Sequence, residues 1–416
     1  MKKLPKIMSW LSIALALATA FSIAYVPALS PVFLTVLVVN LVLPMVFHEG
    51  YGKPALVVCR LLVGGLFIFS SFTKGVDPVG TKYKMLDYFA AYGIQWLNDY
   101  ALILAMLMIL AEFIVGICLF TNIFSRLAVL GASLLMLFFT TTTLFDALYD
   151  LVPDCGCFGT AVKMTNWQTF YKNLVIDAVL LPLAICNRQL GNKLAWRTEF
   201  LIACLYAAAF LGFEIYNYRH LPVVDFMNWK VGRQMKQDNA DEQRIYLIYK
   251  NKATGERREY LSPDYPWNDS VWMSEWEFVD QRVEGGSQYI GFTAYDADGE
   301  DVTEMILSTE KLLMFTSSDL DGINEGEWSK MEDIAKIASD KGFNVIWLTE
   351  AQPSTIDSLR MTYPFVDEVY YGDELEIKTI VRFNPGLIYL DDGLVVNKWS
   401  AIDFPMGEKL NALLEN

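Results

Sequence analysis

Long apolar runs dominate the first half of the chain, and mixed apolar and polar positions dominate the second half. A membrane-spanning helix needs roughly 20 consecutive apolar residues, because the hydrocarbon core of a bilayer is about 30 Å thick. The first run follows three lysines and also fits a signal peptide, but the second run follows at once and favours a retained helix. The runs predict membrane-spanning helices over residues 7–26, 28–47, 54–74, 100–120, 124–146, 166–187 and 195–216.

Basic residues set the predicted orientation of these helices. Lys and Arg are enriched in the loops on the cytoplasmic side of a membrane. Arg188, Lys193 and Arg197 fall in one short loop, which we therefore place in the cytoplasm. Counting spans from that loop places residues 150–165 and everything after residue 217 on the opposite side. The pattern predicts a multi-pass protein of the bacterial cytoplasmic (inner) membrane with an extracytoplasmic C-terminal region.

Segment 79–97 is shorter and less apolar than the predicted spans. Its apolar side chains recur at helical spacing, with Lys82, Lys84 and Asp87 between them. This spacing predicts an amphipathic helix at the outer membrane interface.

Charged residues within the apolar runs are candidates for function. Charges at this depth usually pair with one another or line a cavity. One interpretation is a structural ion pair, such as Arg60 with Glu112, that holds helices together. The other is a quinone or proton site formed by Arg60, Lys74 and Glu112. Asp146 and Asp177 are also intramembrane, and Asn173 shares a helix face with Asp177, which predicts a polar stripe facing the bundle.

Cys155 and Cys157 lie in the polar loop Pro153–Gly159, on the predicted outer side. Two thiols one residue apart in an oxidising compartment form a strained, easily reduced disulfide that suits thiol exchange. A permanent loop staple is an alternative, and Asp154 favours it because a neighbouring negative charge disfavours a thiolate. Metal binding is a third option. Two soft ligands are too few for a closed zinc site, so we assign no metal.

Charge changes the picture of the second half. The chain has a net charge of −15, and its acidic excess lies entirely after residue 217. Such a region repels nucleic acid and anionic lipid headgroups. Residues 218–416 contain no cysteine, which excludes a disulfide-stapled module.

Residues 243–261 predict a β-hairpin, because two apolar-rich runs flank a Thr254-Gly255 turn. Trp267, Trp272 and Trp276 follow in a predicted loop. We expect them to pack against a small sheet, although three tryptophans also suit a ligand platform.

From residue 289 onward, strands and helices alternate. The pattern predicts strands over 289–295, 311–316, 343–348, 386–391 and 394–400, and helices over 325–341, 353–361 and 373–382. This order is typical of a thioredoxin-like α/β fold. The domain resembles the thioredoxin-like domains tethered outside bacterial membranes, and Pro385 takes the place of their cis-proline. Their catalytic Cys-x-x-Cys is replaced here by Ser317–Gly322, which cannot exchange disulfides.

Residues 54–187 resemble the DoxX/MauE group of small four-helix membrane proteins. The matching features are Arg60 at the start of a helix, Phe69–Lys74 at its end, Asp77-Pro78, Glu112 with Gly116, and Asp154–Gly159 before the fourth helix. Further motifs are Leu221–Phe226, Tyr249–Glu256, Tyr265–Trp267 and Asn384–Gly386. With them, the whole arrangement resembles DoxX-type proteins of Bacteroidota. The resemblance implies a redox-associated membrane role, since MauE proteins are linked to maturation of methylamine dehydrogenase and DoxX proteins to quinone-coupled membrane redox complexes.

The sequence therefore predicts an all-α membrane bundle followed by a soluble α/β thioredoxin-like domain. The leading functional hypothesis is a thiol–disulfide relay through Cys155 and Cys157 that serves an extracytoplasmic protein partner. A quinone-linked oxidoreductase subunit, with quinone as its cofactor, and a non-catalytic assembly scaffold are the alternatives. The predicted segments are a hydrophobic pair 1–53, a four-helix domain 54–187, a further helix 188–217, a β-rich linker 218–288 and the thioredoxin-like domain 289–416.

Overall fold

The protein is described by a computed structural model over most of its length. The described residues are 7, 10, 11, 13–15, 18, 52–152, 156–159, 161–162, 164–186, 190–191, 194–236, 244–252, 254–261, 266, 270–284 and 292–415. The chain divides into two units, Met1–Phe226 and Met227–Asn416. Apart from isolated positions in the first, the predicted spans 7–26 and 28–47 lie outside the described residues.

The first unit is a bundle of helices. They are α1 (Lys53–Val76), α2 (Pro78–Ala91), a 3-10 helix (Gln95–Tyr100), α3 (Ala101–Thr121), α4 (Ser125–Tyr149), α5 (Asn166–Ile185) and α6 (Trp196–Arg219). Within the described part of the chain, four helices are long and apolar enough to cross a membrane: Lys53–Val76, Gln95–Thr121, Ser125–Tyr149 and Trp196–Arg219. They match the predicted spans 54–74, 100–120, 124–146 and 195–216. Helix α5 forms where a span was predicted, but its first half is polar, so its crossing of the membrane stays a prediction.

Close helix packing holds the bundle together. Helix α1 packs along α3 and helix α4 packs along α5. At the α1–α3 contact Gly64 faces Gly116, and a Cβ added to Gly64 would lie 2.8 Å from the backbone nitrogen of Phe120. Small residues allow such backbone approach between membrane helices.

Helix α2 confirms a helix in the predicted segment 79–97, although it ends six residues earlier, and its amphipathic character stays a prediction. Its start is set locally, because the Asp77 carboxylate accepts a hydrogen bond from the Gly80 amide at 2.8 Å and Pro78 follows the cap. Trp96 in the following 3-10 helix is 74% exposed. An exposed Trp suits a membrane interface. The interfacial location itself remains a prediction.

The second unit contains a small antiparallel sheet of three strands. Strands β1 (Arg244–Asn251), β2 (Arg257–Leu261) and β3 (Trp276–Glu284) take the order β2-β1-β3, which confirms the predicted hairpin. The loop predicted around the tryptophans is wrong for Trp272, which lies in helix α7 (Ser270–Glu275), and for Trp276, which begins β3. Both rings are buried against Tyr249, so the expected packing on the sheet is confirmed. Trp267 lies outside the described residues.

A second sheet has six strands in the order β4-β7-β6-β5-β8-β9. Strands β5, β6 and β7 are parallel, whereas β4, β8 and β9 pair antiparallel with their neighbours. The elements are β4 (Ala294–Tyr295), α8 (Thr303–Leu307), β5 (Leu312–Ser317), α9 (Glu325–Asp340), β6 (Asn344–Thr349), α10 (Pro353–Thr362), β7 (Val369–Gly372), α11 (Glu374–Ile380), β8 (Gly386–Asp391), β9 (Leu394–Ser400) and α12 (Glu408–Glu415).

Two elements of this sheet differ from the prediction. Strand β7 was missed, because four residues between Glu368 and Asp373 are too few to display a period of two. Strand β4 has two residues and begins at Ala294, so residues 292 and 293 of the predicted strand 289–295 are not part of a strand, and residues 289–291 lie outside the described residues. By contrast, β8 and β9 have the predicted bounds, since the Asp392-Gly393 turn marks where one ends and the other begins.

Candidate functional site

A buried ion pair joins α1 to α3 near the end of α1. Lys74 Nζ lies 2.6 Å from Glu112 Oε1, and only 5% and 2% of the two side chains are exposed. The ammonium also lies 5.3 Å from the centre of the Phe139 ring on α4. Charges removed from water are stabilised only by such direct pairing. The pair therefore locks the register of two helices and concentrates opposite charges at one point in the bundle.

Ser70 connects this ion pair to the loop that carries Cys157. Its hydroxyl lies 3.2 Å from Glu112 Oε2 and 2.9 Å from the carbonyl oxygen of Cys157. Ser70 precedes Lys74 by one helical turn, so both side chains lie on one face of α1. Because a hydroxyl has a single proton, Ser70 donates to one of these acceptors at a time.

The residues after Cys157 pack directly on α1. Gly159 has a φ of 55°. A Cβ at that position would lie 3.1 Å from the carbonyl oxygen of Thr73, so glycine permits the close approach. The buried Phe158 ring lies 5.6 Å from the Phe69 ring, and the ammonium of Lys172 lies 4.6 Å from the Phe158 centre. Cys157 itself is half-buried.

The start of the same loop is held by α5. The side-chain amide of Asn166 lies within 3.1 Å of both the Val152 carbonyl and a carboxylate oxygen of Asp150. It also lies 3.4 Å from the Asp146 carbonyl. Tyr88 of α2 donates to the Asp146 carboxylate at 2.5 Å. The cysteine loop is thus anchored on both sides, although Cys155 lies outside the described residues.

Arg60 does not join this site. It precedes Lys74 by fourteen residues on the same helix, which corresponds to about 21 Å along the axis. The partner of Glu112 is Lys74, so the ion pair suggested between Arg60 and Glu112 is wrong. Arg60, Lys74 and Glu112 therefore cannot surround one quinone headgroup. Lys74 and Glu112 come together with Cys157 instead.

The predicted polar stripe on α5 is confirmed. Asn173 donates to the Thr143 hydroxyl at 3.1 Å, and the Thr140 hydroxyl donates to Asp177 at 2.7 Å. Both contacts lie between α4 and α5, so the stripe faces the bundle.

Sequence reasoning missed Ser70 and Asn166 as site residues. The spacing of Ser70 from Lys74 was a usable signal, because residues four apart share a helix face. Nothing comparable marked Asn166, whose three acceptors come from the end of α4 and the segment after it.

Glu214 on α6 is a second buried acid, and it was not singled out from the sequence. Its side chain is fully buried, and neither carboxylate oxygen has a hydrogen-bond partner among the described residues. Burying a carboxyl group without partners is costly.

We therefore expect Glu214→Met to stabilise the bundle by about 1–3 kcal/mol, whereas Glu112→Met destabilises it by leaving Lys74 uncompensated. Thermal unfolding of the detergent-solubilised variants measures both, and a lower melting temperature for Glu214→Met would contradict the expectation.

The C-terminal unit gathers polar groups where its central strand β5 ends. Asn384 Oδ1 lies 2.8 Å from the Ser317 hydroxyl and 3.1 Å from the Ser318 amide. The Asn384–Pro385 peptide bond is cis. Burial raises the pKa of the nearby Glu350 carboxyl, with Lys378 opposing that shift and Asp373 and Asp319 adding to it. This edge is acidic and lacks a thiol, so it has no group for disulfide exchange.

The comparisons with known proteins bear on the first unit. The family model of methylamine utilisation protein MauE matches residues 52–186, about a third of the chain. This segment begins just before α1, ends just after α5 and includes the ion pair, Ser70 and the cysteine loop. The match confirms the resemblance to MauE over that segment. No curated protein and no solved structure matches the chain.

The fold and the match together define the class of this protein. It is a multi-pass membrane protein with a segment similar to MauE, followed by a sheet-containing C-terminal unit.

Proposed function

We propose that this protein relays thiol–disulfide equivalents between Cys155 and Cys157 and an extracytoplasmic protein partner of the bacterial cytoplasmic membrane. The observation that carries the proposal is the hydrogen bond of 2.9 Å between Ser70 and the Cys157 carbonyl, since the same hydroxyl lies 3.2 Å from Glu112 of the buried ion pair. The similarity of residues 52–186 to MauE supports a redox-associated role.

The chemistry is an exchange that needs no bound cofactor. A thiolate of the partner attacks the Cys155–Cys157 disulfide, forms a mixed disulfide and displaces one cysteine as a thiolate. The partner's second thiolate then attacks the mixed disulfide, which oxidises the partner and leaves both loop cysteines reduced. The loop disulfide gains two electrons from the partner. The two protons that the partner thiols lose protonate the two loop thiolates. A second disulfide-bearing protein reverses these steps and restores the loop disulfide.

We further propose that the C-terminal unit is a thioredoxin-like domain that docks this partner without exchanging disulfides itself. The strand order around β5, the antiparallel β8–β9 pair and the contact of Asn384 with Ser317 and Ser318 support that fold. Its sequence contains no cysteine. The basic loop Arg188–Arg197 supports an extracytoplasmic location for this domain.

A quinone-linked oxidoreductase subunit is less well supported. That hypothesis needs Arg60, Lys74 and Glu112 around one headgroup, and about 21 Å of helix separates Arg60 from the other two. The scaffold hypothesis, in which the cysteines form a structural disulfide, predicts that no partner is trapped and that reduction lowers the melting temperature.

Replacing Cys157 by serine should leave Cys155 able to trap a partner as a mixed disulfide, because the resolving thiol is gone. A gel-shift that disappears on reduction measures the trapped species in intact membranes. The double variant Cys155→Ser with Cys157→Ser should abolish it. Cys204→Ser is the matched control, since Cys204 is an exposed cysteine on α6 and should not change the trap. An absent trap, together with a melting temperature of the native protein that falls on reduction, would favour the staple.

A further inference from the structure

We propose that Ser70 is a positioning residue that couples the buried Lys74–Glu112 ion pair to the conformation of the cysteine loop. This inference deepens the proposed relay and rests on it for its biological meaning. The physical coupling itself can be tested without any partner.

Two acceptors compete for the proton of the Ser70 hydroxyl. Glu112 Oε2 and the Cys157 carbonyl both lie within hydrogen-bond reach of the Ser70 hydroxyl, at 3.2 Å and 2.9 Å. A hydroxyl donates a single proton, so a stronger bond to one acceptor weakens the bond to the other. The shorter distance indicates that the Ser70 hydroxyl donates to the Cys157 carbonyl in this conformation.

The Lys74–Glu112 ion pair sets the outcome of this competition. Lys74 Nζ lies 2.6 Å from Glu112 Oε1 and neutralises much of the charge on that carboxylate. Hydrogen bonds to ionised acceptors are the stronger ones. Loss of the ammonium contact would make Glu112 a stronger acceptor and draw the Ser70 proton away from the loop. The charge balance of the ion pair therefore controls how firmly the loop is held.

The coupling between the ion pair and the loop is reciprocal. When two sites share one element, each biases the other by the same coupling free energy. A change at the cysteine loop that moves the Cys157 carbonyl frees the Ser70 hydroxyl to donate its hydrogen bond to Glu112. The geometry thus links the loop of the half-buried Cys157 with a buried charge pair through one hydroxyl.

Ser71 provides a matched comparison on the same helix. Its hydroxyl donates to the Ile68 carbonyl within α1 at 2.9 Å, and the residue is fully buried. Loss of that hydroxyl removes a hydrogen bond of similar length but leaves the loop contact intact. An effect specific to Ser70 therefore separates coupling from general packing.

The experiment measures the alkylation rate of Cys157 by a neutral maleimide in the full-length reduced protein, followed by mass spectrometry for each cysteine. Ser70→Val and Ser70→Thr have the same shape and differ in the hydroxyl. We expect Ser70→Val to raise the rate about tenfold, which corresponds to ~1.4 kcal/mol. Ser70→Thr and Ser71→Ala should stay near the native rate.

A second arm tests the link to the ion pair. Glu112→Gln should change the alkylation rate of the native chain and have no further effect in the Ser70→Val background, since coupled residues are not additive. Equal rates for the Val and Thr variants, or a Ser71→Ala effect as large as that of Ser70→Val, would overturn the coupling. An intact Ser70 effect with no mixed disulfide would instead reject the relay and leave the coupling in place.

Discussion

Replacing Lys74 by methionine is expected to destabilise the membrane unit by about 3–5 kcal/mol. Methionine fills a similar volume but leaves the Glu112 carboxylate buried without its cation. Only 2% of the Glu112 side chain is exposed, so water cannot replace the ammonium. The Ser70 hydroxyl can then donate to Glu112 in place of the Cys157 carbonyl, and one neutral donor offsets a small part of the loss. The fall in melting temperature of the detergent-solubilised protein measures this effect.

Two further variants decide whether the charge or the shape of Lys74 matters. The double variant Lys74→Met with Glu112→Leu removes both charges and should recover most of the lost stability, because a well-packed apolar pair replaces the ion pair. Lys84→Met is the control for a partly exposed lysine, since Lys84 makes an i,i+3 contact of 3.8 Å with Asp87, a half-exposed residue. That change should alter stability by less than about 1 kcal/mol. A double variant as unstable as Lys74→Met would contradict the argument.

Alanine at Gly64 is expected to destabilise the α1–α3 contact, whereas alanine at the neighbouring Gly65 is tolerated. A Cβ at Gly64 would lie 2.8 Å from the Phe120 nitrogen and 2.9 Å from the Gly116 carbonyl. Both are backbone atoms and cannot rotate away, so the helices must separate at a cost of about 2–3 kcal/mol. At Gly65 the nearest atom is the end of the Phe120 ring at 3.9 Å, which is ordinary contact.

The two glycines are adjacent in sequence, so they lie at nearly the same position along α1. The change in helix propensity on replacement by alanine is also the same for both. Replacing glycine by alanine favours a helix by roughly 1 kcal/mol at either position. Gly65→Ala should therefore match or exceed the native melting temperature while Gly64→Ala falls well below it. Equal melting temperatures would mean that the two helices do not approach as closely as the structure indicates. The same close approach sets the register that brings Lys74 level with Glu112.

The elements that the sequence determined are those encoded by local patterns. The apolar runs that became α1, α3, α4 and α6 are long enough to be recognised one at a time, because the bilayer thickness sets their length. The bounds of β8 and β9 were predicted, since the Asp392-Gly393 turn and the flanking apolar strands are contiguous. The same sequence signals suggested Lys74, Glu112 and Cys157 as separate candidates.

The tertiary structure decided which candidates meet. Lys74 and Glu112 are 38 residues apart, and Ser70 and Cys157 are 87 apart. Their contact depends on the register of α1 against α3 and on where the cysteine loop returns to the end of α1. No local pattern encodes that register, so Arg60 was as reasonable a partner for Glu112 as Lys74 was. Strand β7 was missed for the same reason, because its four residues become a strand through pairing with β6 and β4. The sequence indicated the charged and thiol groups as candidates. Helix packing brought Lys74, Glu112 and Cys157 together and added Ser70 to them.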